Sequence, residues 1–289
     1  MPQYVPELAL ITLAAAVVNG ALGYGFSSIT VPLALFFVSS RVLNPALVLV
    51  EVVLNGYVLW VNRIALPQVW RRVLPIVAGL APGIALGTLA VARVSPDWLK
   101  LWTFALLLPL ILVQAGGFRR PLRAERAWGL PFGAGVGALY ALTTISGPPL
   151  AVALNNQGLA KQEFRAALGF IRLSESTFTA AAYWYAGLFT IQALALTPAI
   201  VPSLIIGVPF GVWLIRRVDV ETFRRVCMSF DAWIVGFGIS TLLRRLHVID
   251  GPAAYVVLGA VVAIDTLLLY RFFTLRRAPA LAYSGSLSH

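Results

Sequence analysis

Apolar runs of about 20 residues follow one another along almost the whole chain, and most charged side chains fall in the short gaps between them. Nothing limits the choice of fold more. A helix of that length matches the thickness of a bilayer. In that medium every backbone N–H and C=O must find a partner within a helix or a closed barrel. Hydrophobic residues make up 60% of the chain and charged residues 11%, against roughly 45–50% (counting glycine) and 25% in soluble domains. A water-soluble core is excluded. The expected fold is an all-α polytopic membrane protein.

Two of the runs are interrupted in the same manner. Asn19 to Pro32 and Gly133 to Pro149 are glycine-spaced apolar stretches that stop in a small polar turn and resume at proline. A bare turn at membrane depth is tolerated only where it is buried in protein or lines a cavity. A matched pair of such interruptions points to the binding site of a transporter.

Taken in order, the chain gives an interrupted segment (Glu7–Ser39) and three spans (Asn44–Asn62, Val69–Ala92, Trp98–Ala115). The pattern then repeats as an interrupted segment (Trp128–Asn156) and three more spans (Phe164–Gly187, Ile191–Ile215, Thr222–Leu243). A further span, Pro252–Phe273, has no counterpart. The expectation is two inverted repeats, each a re-entrant helical hairpin plus three transmembrane helices, and one extra C-terminal helix. The corresponding divisions are 1–115, a basic link at 116–127, 128–245, 246–277, and a loose polar tail at 278–289.

The net charge of +11 rests on 20 arginines and two lysines, Lys100 and Lys161. Arginines in short gaps read as positive-inside loops, so no nucleic-acid partner is expected. If both interrupted segments return to the side they left, sixteen basic residues collect on one face and five on the other. If the second crosses instead, the split is twelve to nine, which is no bias. The rule therefore favours a returning second segment and a cytoplasmic C-terminus. It leaves the first to symmetry alone, because no Lys or Arg precedes it. Cys227 is alone and His247 and His289 are peripheral, so neither a metal site nor a cofactor nor enzymatic chemistry is expected. No basic segment precedes the first run, so no cleavable signal peptide is expected.

A hairpin turning back at mid-membrane exposes the first N–H groups of its second arm, with the positive end of the helix dipole. Ser27 or Ser28 can cap one such arm. Ser146 can cap the other, with Pro148 and Pro149 in its first turn. Two facing helix N-termini suit a small anion. The candidate binding residues are Gly23, Tyr24, Gly25, Ser27, Ser28, Thr143, Thr144, Ser146, Gly147 and Arg172; close packing of small residues would leave the same trace. Arg172 and Glu175 share a helix face, either as a structural ion pair or with Arg172 as a substrate contact moderated by Glu175. Glu51 has no basic residue in its own span and is a candidate for proton coupling, or a neutral hydrogen-bonded carboxyl. Asp231 and Asp265 are weaker candidates, Asp265 being near enough to Arg271 for partial solvation. Tyr24 and Tyr140 sit beside the breaks and either line the path or fill the core.

These breaks, the second ending in Ser146-Gly-Pro-Pro149 and followed by Phe164-Arg165-Ala166, resemble the TauE/SafE sulfite-exporter family. The resemblance implies a bacterial inner-membrane carrier of small sulfur-containing anions such as sulfite or organosulfonates, usually outward. The family's first break is commonly richer in glycine, whereas here Phe26, Ser27 and Ser28 follow Gly25. A carrier of another small oxyanion or carboxylate, a channel-like protein, and a membrane assembly protein without turnover remain as alternatives. The residues do not set the oligomeric state.

Overall fold

The computed structural model describes residues 5–116, 125–155, 159 and 161–284. Among these residues the protein is all helix, with eleven α-helices, two short 3₁₀ turns and no strand. The first half holds α1 (Val5–Leu22), α2 (Phe26–Ala34), α3 (Ser40–Val61), α4 (Leu66–Arg93) and α5 (Pro96–Ala115). The second holds α6 (Glu125–Thr143), α7 (Gly147–Asn155), α8 (Lys161–Tyr185), α9 (Ile191–Leu214) and α10 (Val220–Arg245), and α11 (Val256–Ser284) ends the chain. Seven of these, α1, α3, α4, α5, α9, α10 and α11, are long and apolar enough to cross a membrane. The protein is a multi-pass membrane protein.

The helices of each half pack across onto the other half. Helix α1 lies along α9, and α6 lies along α4. Both pairs run parallel: Ala9 meets Ser203 and Val17 meets Gly211, while Ile76 meets Gly133 and Ala138 meets Gly87. The Pro/Gly texture shared by α4 and α9 serves this contact. A Cβ at Gly83 would overlap the Ala134 carbonyl oxygen, and one at Gly211 would overlap that of Val17. Small residues let apolar helices approach closely where no hydrophobic effect drives them together. Helices α3 and α8 cross the middle antiparallel, with Gly56 near Leu173 and Gly169 against Leu59.

Two faces emerge from these directions. On one, Arg165 and Arg216 border the same hollow as Asn62 and the end of α1. On the other, Arg41 donates to the carbonyls of Val91, Ala92 and Val94, and Lys100 and Arg245 border a hollow with Leu35 and Phe36 just past α2. Helix α1 therefore runs toward the Arg165 face, and α2 runs back. The first interrupted segment turns round, a point that charge counting left open. Its arms are unequal, however, with 18 residues in α1 and nine in α2. The long arm nearly crosses because nothing in its Ala/Val/Leu run stops a helix before Gly23.

Two expectations change. Asp265, expected to be partly solvated, is not, and its partner Arg225 lies inside α10. Both are buried, with Arg225 Nη2 donating to Asp265 Oδ1 at 2.9 Å, which ties α11 to α10. Helix α11 also continues from Ala278 to Ser284, where a loose tail was expected. Residues 285–289 and most of the basic link, 117–124, lie outside the described residues. Trp60, Trp70, Trp98, Trp102 and Trp128 all face outward, as interfacial anchors do.

The close helix contact makes a test. Replacing Gly83 by Ala should destabilise the protein by about 1–3 kcal/mol, the cost of overpacking a well-filled contact. Gly135, with nothing within 4 Å of its would-be Cβ, should accept Ala without loss. Thermal unfolding of the two variants in detergent compares them directly.

Candidate functional site

Where α6 breaks, each of its last carbonyls acquires a specific donor. Thr143 Oγ1 donates to Leu139 O at 2.7 Å, the Thr144 N–H to Tyr140 O at 2.6 Å, the Tyr183 hydroxyl to Ala141 O, and Asn44 Nδ2 to Leu142 O at 2.7 Å. A helix end normally leaves these groups to water, which is absent from a buried site. Thr144 turns the chain with φ 56°, and its hydroxyl donates to Thr143 O at 2.7 Å. Thr143 and Thr144 are thus fully buried and engaged locally, holding the break in shape.

The first break turns on glycine. Gly23 and Gly25 have φ of 83° and 105°, and Gly25 is the residue that starts α2. The expected serine cap is not formed there. Ser27 sits inside the first turn of α2, and its hydroxyl donates instead to Glu51 Oε1 at 2.5 Å. Ser146 does stand just before α7, its carbonyl taking the N–H of Leu150 at 3.1 Å, but its hydroxyl also goes to a carboxylate, Glu175 Oε2, at 2.5 Å. The two breaks therefore share one motif, a serine at a helix start donating to a glutamate on a crossing helix.

They also touch. A Cβ at Gly147 would lie 3.2 Å from that of Tyr24, so the first break packs on the start of the second short arm. Between them lies Arg172, 4% exposed, whose Nη2 donates to Glu51 Oε1 at 3.3 Å. Tyr140 donates to Glu51 Oε2 at 2.7 Å, and Asn55 Nδ2 to the Arg172 carbonyl at 3.3 Å. Glu51 and Glu175 are fully buried, and the Arg172 Nε and Glu175 Oε1 atoms have no partner.

Of the candidate residues, the structure brings together Ser27, Ser146, Arg172, Glu51 and Glu175, with Tyr24 and Gly147 at the contact between the breaks. The Arg172–Glu175 pair, expected from their three-residue spacing, is not made. Arg172 turns across to Glu51 on α3, because Glu175 faces the Ser146 hydroxyl. Ser28 stands apart, lining a small hollow with Gly25 and the buried Asp231, whose Oδ1 is unpartnered. Tyr140 fills the core beside Val48, Val91 and Tyr183, and its hydroxyl also donates to Glu51. Asn44 and Tyr183 were not anticipated: their only trace in the sequence is a polar group in an apolar run.

The pairing is open to a rescue experiment. Arg172→Leu leaves Glu51 as a buried carboxylate without its counter-charge and should cost about 3–5 kcal/mol. Adding Glu51→Gln should recover most of that loss, whereas adding Glu175→Gln should not. Thermal unfolding of the single and double variants would decide which glutamate Arg172 serves.

No curated protein and no solved structure gives a match to this chain. The family described as sulfite exporter TauE/SafE matches residues 8–241, which takes in both breaks, all five buried groups of the cluster and every helix up to the last turn of α10. The chain belongs to the TauE/SafE sulfite-exporter family.

Proposed function

We propose that this protein is a secondary transporter that exports a small sulfur-containing anion, sulfite or an organosulfonate such as sulfoacetate, by alternating access around the two breaks. The observation that carries the reading is the central cluster: a buried guanidinium held by one carboxylate, between two helix starts whose serines can donate to an oxyanion. An arriving anion competes with Glu51 for Arg172. The hydroxyl of Ser27 is then released to it, with the first N–H groups of α2 and the Gly147 N–H that opens α7; the hydroxyl of Ser146 follows when Glu175 gives it up. Glu51, displaced, is the group to take up a proton, because a second unpaired negative charge in an apolar core is costly. Glu175 stands in the same relation to Ser146 and is the second candidate.

The exchange of partners between halves supports two inverted units that rock against each other. The α1–α9 contact has its counterpart in α6–α4, while α3 and α8 meet in the middle. The face bearing Arg165 and Arg216 is the more basic, which supports a cytoplasmic position for it and for the C-terminus in a bacterial inner membrane.

Counterflow of labelled sulfite and sulfoacetate in proteoliposomes tests the proposal. A carrier shows trans-stimulation, a channel does not, and an enzyme alters the compound. Ser27→Leu and Ser146→Leu should each abolish transport while the protein still inserts, and unchanged uptake in both would overturn the site. Arg172→Gln should weaken anion affinity about ten- to a hundredfold, the loss of a charge-assisted hydrogen bond worth about 1.5–3 kcal/mol. Glu51→Gln should flatten the pH profile of uptake; an unaltered profile would remove Glu51 from coupling.

A further inference from the structure

Below the first break the protein holds a vestibule of about 430 Å³ that the central cluster does not explain. It is bordered by the end of α1 at Asn19 and Gly23, the end of α3 at Val58 and Asn62, the start of α8 at Arg165, and Arg216 just past α9. None of the described residues lining it is acidic, and neither guanidinium has a carboxylate partner among the described residues. The neighbouring Arg217 lies instead over the Trp213 ring, 4.3 Å from its centroid. At the inner end, Asn19 is 3% exposed and its Oδ1 has no partner, so a polar group lies buried where the vestibule meets the break. The walls between are apolar, from Val58, Val61, Leu168 and Val212.

We propose that this vestibule is a second, outer anion site, in which Arg165 and Arg216 hold the charged head of a small anion and the apolar walls accept a short carbon tail. Two like charges beside low-dielectric walls concentrate anions by about tenfold or more, and the effect weakens with salt. The space exceeds what a bare oxyanion needs, so an alkyl-bearing sulfonate fills it better than sulfite does. Gly23 lies at its inner end, and four residues further on Ser27 reaches Glu51, which makes the outer site a loading station for the inner one. That role rests on the carrier reading above; the existence of the anion site does not.

A labelling experiment on the full-length protein separates the two. In a Cys227→Ser background, Val58→Cys places a thiol in the vestibule wall, and Val212→Cys gives a second position should the first fail to fold. The thiol is treated with two methanethiosulfonates of similar size, one ending in an ethanesulfonate and one in a trimethylammonium group. Comparing their rates at one cysteine cancels any change in the reactivity of that thiol. With each rate divided by that reagent's rate on a free thiol in solution, the anionic reagent should react about tenfold faster. The ratio should fall toward one when Arg165→Gln and Arg216→Gln are added together, and sodium ethanesulfonate should slow the labelling. Equal rates, a ratio indifferent to both arginines, or no protection by ethanesulfonate would each overturn the site. Absence of counterflow alongside intact, arginine-dependent labelling would sink the carrier reading and leave the outer site standing.

Discussion

A helix that stops inside an apolar medium leaves carbonyls and N–H groups that water cannot reach, and the rest of this structure is arranged to answer them. At the second break the answer is complete, since Thr143, Thr144, Tyr183 and Asn44 reach four successive carbonyls from three helices. Each donor must come from a helix close enough to deliver it. This accounts for α3 and α8 both reaching the end of α6. The same crossing helices carry Glu51, Arg172 and Glu175. Satisfying the broken backbone and assembling the polar cluster are therefore one problem with one solution.

The two breaks are alike in plan and unlike in rigidity. Both place a serine hydroxyl on a glutamate at 2.5 Å. The second is pinned by side chains and turns on a threonine with positive φ, a conformation held only where the surroundings dictate it. The first turns on Gly23 and Gly25, with backbone bonds from the Gly23 N–H to Asn19 O at 2.7 Å and from the Ile29 N–H to Gly25 O at 3.3 Å. A glycine turn is the looser of the two. It is also the one that meets the vestibule, so the half with more freedom is the half next to solvent.

Much of this was legible in the sequence because bilayers are strict solvents. Length, apolar runs and the paired glycine-serine breaks led to the helical membrane fold, and the resemblance carried by Ser146-Gly-Pro-Pro149 led to the family. What escaped was every feature set by rotation about a helix axis or by contact between distant spans. Spacing joined Arg172 to Glu175 because three residues share a face. The true partner, Glu51, is 121 positions away and becomes a neighbour only when α3 crosses α8. Asp265 read as partly solvated because Arg271 follows closely, and its partner Arg225 stands on a different span, one turn inside α10. Asn44 and Tyr183 gave no signal, since a lone polar group in an apolar span has many uses and the carbonyl it serves belongs to another helix.

The two buried ion pairs help to separate structure from function. Such a pair adds little net stability over well-packed apolar side chains, because both charges must first leave water. The Arg225–Asp265 pair has a clear structural use: α11 is mostly exposed, packs mainly on α10, and gains a fixed register from one specific contact. The Arg172–Glu51 pair has no such use. Helices α3 and α8 already meet along their length through Gly56, Leu173, Leu59 and Gly169, so apolar side chains would hold them as well. Both guanidiniums keep unpartnered nitrogens, but the Arg172 contact with Glu51 is the longer, 3.3 Å against 2.9 Å for Arg225 with Asp265. A guanidinium kept in the core by a long, replaceable contact is poorly suited to fastening two helices and well suited to changing partners.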